Sequence, residues 1–144
     1  MVFELLATHR QRIKTAIVGG AHPYAEDTST LRGLPAQALV SYWEALAAPL
    51  SDESKKRIAA FNQQELADMI PDRIDKSGRL AGLDVRSLMI CGTNDDRFEG
   101  MRRFAATDER CTFVPVRDAD HLQAWFRSDQ PASEVRSFLR GAIA

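Results

Sequence analysis

The chain has 144 residues, 44% hydrophobic and 27% charged, a composition ordinary for one soluble globular domain. Nineteen Lys and Arg stand against twenty Asp and Glu, and a net charge of −1 gives no electrostatic footprint for nucleic acid or an anionic membrane surface. No apolar run approaches the ~20 residues that span a bilayer, and Glu4 interrupts an opening segment without a basic n-region, so no membrane partner is expected and the chain reads as cytoplasmic.

Val2, Leu5, Leu6 and His9 recur at helical spacing, so the chain opens in a helix that exits through the charged run His9–Lys14. The basic run reads as a solvated face. Thr15-Ala-Ile-Val18 is a short apolar strand ending at Gly19-Gly20. From 29 to 75 the pattern is helical. Leu39, Trp43, Leu46 and Leu50 form one stripe, and a second helix opens with Ser51 as cap and Asp52 and Glu53 in its first turn, running on to Pro71.

Leu88-Met-Ile-Cys91 is continuously apolar, as befits a parallel strand covered on both faces. Phe98, Met101, Phe104 and Ala105 mark a short helix despite Gly100. Cys111-Thr-Phe-Val-Pro-Val116 follows, and Pro115 assigns it to a sheet edge because proline donates no ladder hydrogen bond. Pro131 lies near the start of a last amphipathic helix carrying Val135, Phe138, Leu139, Ala142 and Ile143. Helices alternating with strands imply an α/β protein with a parallel sheet of about three strands. Cys91 and Cys111 lack metal or disulfide spacing and read as buried thiols.

Ligands of open α/β sheets gather at the carboxyl ends of the strands. The second strand leads into Gly92-Thr-Asn-Asp95-Asp96 and the third into Arg117-Asp-Ala-Asp-His121. A carboxylate there can accept an imidazole N–H and leave the other ring nitrogen as general base. Asp95 and His121 are 26 positions apart, room for one helix and one strand between them. Asp118, Asp120 and His121 have no further ligand converging by spacing, so no metal and no cofactor are expected.

The segment Leu88–Asp95, the helix and edge strand after it, Asp118-Ala-Asp-His121 and the amphipathic final helix together resemble the C-terminal half of an α/β-hydrolase. Thr15–Asp27 resembles the strand before that family's lid. The resemblance spans the whole chain and rests on the order of individually common motifs. It implies a partial α/β-hydrolase fold over 1–144, one domain with a helical lid insertion at 29–75. It implies that Asp95 is the triad acid, with Asp96 as the alternative, and that His121 is the base. His22, Tyr42 and Trp43 are candidate pocket residues for an apolar acyl group; packing roles in a turn and a core stripe remain the alternatives.

The family's Gly-x-Ser-x-Gly elbow does not occur in these residues, and its place in the family is just before the helix with which this chain opens. Loss of a triad serine typically costs about 10⁶-fold in kcat, or ~8 kcal/mol of barrier, so the isolated chain is expected to be nearly inert toward esters. Related folds with an aspartate nucleophile, as in dehalogenases and epoxide hydrolases, are a further possibility. The other class of function is a non-catalytic interaction module. In either case strand 15–18 is expected to present an unpaired apolar edge, a template for self-association or for an N-terminal fragment. An ester or acyl substrate is expected only after complementation.

Overall fold

In the computed structural model, residues 2–29, 33–35, 38–41, 44, 51–60, 62, 73–82, 84–127 and 129–143 are described. They form two compact units, Met1–Tyr24 with Asp75–Ala144, and Ala25–Ile74.

The first unit is built on a three-stranded sheet of β1 (Thr15–Gly19), β2 (Arg86–Gly92) and β3 (Cys111–Val116), in that spatial order. Both pairings are parallel, with Ile17 opposite Leu88 and Cys91 opposite Pro115. Its helices are α1 (Val2–His9), which runs into a 3-10 turn at Arg10–Arg12, then α3 (Ser77–Leu80), α4 (Phe98–Ala105), α5 (His121–Phe126) and α6 (Ala132–Ile143). α2 (Asp52–Ala59) belongs to the second unit.

Because side chains alternate along a strand, register divides the sheet into two faces. Ala16, Val18, Met89 and Cys91 point to one face and pack with Phe3 and Leu6 of α1, Leu80, and Met101 and Ala105 of α4. Leu88 points to the other, against Val114 and Phe138 of α6. Leu88 and Met89, adjacent yet both almost fully buried, explain why β2 is apolar without alternation. Each such side chain contributes about 1.5–3 kcal/mol by leaving water.

β3 lies at the edge, where Pro115 costs no ladder bond. In α1 the buried side chains are Phe3 and Leu6, whereas Leu5 and His9 are exposed. Phe3 meets Phe104 edge-on at 6.2 Å, and this contact sets which side of α1 turns inward. Gly100 sits mid-helix in α4 because the His22 ring packs on it: a Cβ there would lie 2.3 Å from His22 Cδ2.

In the second unit α2 begins as expected after Ser51, whose carbonyl accepts from Lys55 N at 3.0 Å, and ends at Ala59; residues 61 and 63–72, on which the rest of the expected helical run up to Pro71 falls, lie outside the described residues. Glu26 and Arg73 form an antiparallel bridge, tied again by a 3.1 Å ion pair. Tyr42 and Trp43 lie outside the described residues, as does most of the expected 39–50 stripe.

Candidate active site at the strand ends

The polypeptide after β2 turns sharply. Asp95 N donates to Gly92 O at 3.1 Å and Phe98 N to Asp95 O at 2.9 Å, which folds the Asp95 side chain back beneath the sheet end. The loop after β3 is laced to this turn: Thr93 N donates to Val116 O and Asn94 N to Ala119 O, each at 2.9 Å, and Asp118 N donates to Thr93 Oγ1 at 3.0 Å. Gly92 permits the approach, since a Cβ there would stand 2.1 Å from Ala119 O.

Beyond Ala119 the chain enters α5, a helix that the sequence reading leaves as loop. Asp120 caps it, its carboxylate accepting from Gln123 N at 2.8 Å while Gln123 Oε1 accepts from Asp120 N at 3.0 Å. This reciprocal cap is encoded as Asp-x-x-Gln, a readable signal. It makes His121 the first helical residue and fixes its backbone.

There the two loops meet. His121 Nδ1 lies 2.8 Å from Asp95 Oδ2. The Asp95 side chain is 1% exposed and that of His121 37%, so the carboxylate is sealed behind an imidazole that solvent reaches. Asp95 Oδ1 accepts from Arg97 N at 2.9 Å, and the Arg97 guanidinium stands 4.0 Å away. Burial acts to raise the Asp95 pKa, but the His121 hydrogen bond, the Arg97 amide and the electrostatic pull of the His121 and Arg97 side chains outweigh it and hold the carboxyl below its ordinary value. An ionised Asp95 accepts at Nδ1, selects the Nδ1–H tautomer and leaves Nε2 with a lone pair able to take a proton. Asp96, the alternative acid, is exposed.

Gly20 and Arg97 join the site without a sequence motif to announce them. Gly20 has φ +57, and a Cβ on it would fall 2.5 Å from His121 Cε1 and 3.5 Å from Asp95 Oδ2. Cys91 is fully buried on β2; burial, together with the charge and hydrogen bonding of Asp95, pushes its thiol up to about 12. It is no thiolate nucleophile at neutral pH. His22 lies against Gly100 and Tyr24, its ring centroid 5.6 Å from that of Tyr24. The Asp118 backbone amide is engaged in the loop lacing and the Asp120 carboxylate in the helix cap, and among the described residues no group of three or more His, Cys, Asp or Glu could hold a metal ion.

Beside the site, on the face opposite α1, an apolar cleft of about 450 Å³ runs along β1, which among the described residues pairs only with β2; it is lined in part by Ile17, Gly19, Ile90, Trp125 and Val135. Ile17 is 40% and Trp125 63% exposed. No helix among the described residues is long and apolar enough to cross a membrane.

No family model and no curated protein matches the sequence. Solved structures do match in fold. MenH from S. aureus superposes with a TM-score of 0.76 at 16% identity, covering 99% of this chain and 64% of its own. MGS-M2, an α/β hydrolase from a Medee basin deep-sea metagenome library, gives 0.73 at 11% identity over 96% of this chain and 60% of its own. The enol-lactonase from Burkholderia xenovorans LB400 gives 0.71 at 20% identity over 96% and 60%. The chain thus spans less than two thirds of the length of these neighbours, and its fold is a partial α/β-hydrolase fold.

Proposed function

We propose that this chain is the acid-and-base portion of a serine α/β-hydrolase acting on esters or related acyl compounds, with the serine supplied by polypeptide outside these 144 residues. The 2.8 Å contact between Asp95 and His121 supports this reading most directly. His121 Nε2 takes the serine proton as Oγ bonds to the acyl carbon, and then returns it to the leaving alcohol. A water deprotonated at the same nitrogen releases the acid and regenerates the serine. Asp95 holds the ring and stabilises the imidazolium formed in each half. On this reading 29–75 is the lid insertion, and His22, Tyr42 and Trp43 are the candidate residues for an acyl pocket. The Burkholderia neighbour is an enol-lactonase, which is in keeping with an ester substrate here.

The nucleophile-bearing segment docks along β1, which among the described residues pairs only with β2, and covers the apolar cleft beneath it. A strand added there in parallel ends next to Gly20, and hence next to His121. The same exposed edge favours a second reading, a non-catalytic interaction module that binds a partner without chemistry.

Mixing the chain with a Gly-x-Ser-x-Gly polypeptide encoded upstream of Met1 tests both. The hydrolase reading predicts turnover of a chromogenic short-chain ester by the pair, lost on His121→Ala. Binding without turnover supports the interaction module, and full activity retained by His121→Ala refutes the assignment of the base.

A further inference from the structure

We infer that Gly20 is a positioning residue for the His121 imidazole: its bare α-carbon is the surface on which the ring rests while Nδ1 reaches Asp95. The catalytic meaning rests on the hydrolase reading above, but the geometry stands without it.

A Cβ at Gly20 would meet His121 Cε1 at 2.5 Å and Nδ1 at 2.7 Å, separations that non-bonded carbon and nitrogen do not sustain. Gly20 is itself held, since its N–H donates to Ile90 O at 3.0 Å. The imidazole cannot follow Asp95 inward, because that carboxylate is 1% exposed and its other oxygen is bound by the Arg97 amide. Nor does the His121 backbone shift freely, being the first residue of a helix capped reciprocally by Asp120 and Gln123. The His121 side chain is 37% exposed, so a ring displaced by a Cβ yields toward solvent, away from Asp95. Gly19 repeats the arrangement one residue earlier: a Cβ there would stand 3.1 Å from Trp125 Cζ2, so α5 is seated on two consecutive glycines.

A substitution at Gly20 also strains a left-handed backbone, and the chain holds its own control. Gly82 has φ +68 with nothing within 4 Å of an added Cβ, so Gly82→Ala carries the backbone strain alone.

The test reads the His121 ring nitrogens by ¹⁵N–¹H NMR at neutral pH in the wild-type chain, Gly20→Ala and Gly82→Ala. The expected result is a dominant Nδ1–H tautomer in the wild type and in Gly82→Ala. In Gly20→Ala its ratio to the Nε2–H form falls by about tenfold or more, the worth of a hydrogen bond to a charged acceptor. If Gly20→Ala does not fold, the double variant Gly20→Ala/His121→Ala decides. Folding of the double variant assigns the obstacle to the ring and supports the inference; failure of both assigns it to the backbone and overturns it. An unchanged tautomer in Gly20→Ala, or its loss in Gly82→Ala as well, also overturns it. None of these readouts needs ester turnover, so the role of Gly20 and the hydrolase reading can fail separately.

Discussion

Asp95→Asn replaces one carboxylate oxygen by NH₂ at nearly constant volume and therefore isolates the hydrogen-bond pattern from the packing. The wild-type carboxylate accepts twice, from His121 Nδ1 at 2.8 Å and from Arg97 N at 2.9 Å. The asparagine carbonyl can keep the Arg97 amide, which turns the NH₂ toward Nδ1 and forces that nitrogen to become an acceptor. One charge-assisted bond in a sealed position is lost, a cost of about 1.5–3 kcal/mol. For a chain of this size that lowers Tm by roughly 5–12 °C. Because folding lowers the Asp95 pKa, its stabilisation is fully present above the unfolded carboxylate range, and it disappears as pH falls through the folded value. Thermal melts of both proteins from pH 7 down to pH 3 should therefore show a gap that narrows below about pH 4. An equal Tm at pH 7, or a gap that persists unchanged into acid, refutes a buried ionised Asp95 carboxylate bonded to His121.

Gly92→Ala should be among the most damaging single changes, costing about 3 kcal/mol or more in a denaturant titration, because its Cβ would stand 2.1 Å from the Ala119 carbonyl oxygen. The Cys91 thiol, pushed up to about 12 by burial and Asp95, should resist a thiol reagent at pH 8 in the folded chain and react at once in denaturant. Rapid native labelling at Cys91 contradicts its placement. Ile17→Lys, on a strand that among the described residues pairs only with β2 and beside the cleft, should reduce both self-association in sedimentation velocity and capture of a complementing segment. No change in either measurement places the docking surface elsewhere.

The three strands were the most legible part, for a physical reason: continuous apolar runs bounded by polar turns or glycine arise where both faces of a parallel sheet are covered, and Leu88 and Met89 show this directly. Pro115 marked the edge strand because its lost donor is tolerated only there. The Asp95 and His121 pairing was legible through the order of motifs after those strands. Helix α5 escapes a periodicity reading because six residues cannot display a stripe; its signal is the Asp120 to Gln123 cap. In α1 the spacing of Leu5 and His9 fits a helix as well as that of Phe3 and Leu6, and tertiary packing, including the aromatic contact with Phe104, selects the buried side. The role of Gly20 depends on an approach across 101 positions of chain, which no local pattern encodes.

A fluorophosphonate probe gives the most direct test of the division of labour between this chain and a nucleophile outside it. The isolated chain should remain unlabelled, the complemented pair should be labelled on the serine of the added segment, and His121→Ala should abolish that labelling. Covalent probe on any residue of the 144 would reveal a nucleophile within the chain and contradict the proposed assembly.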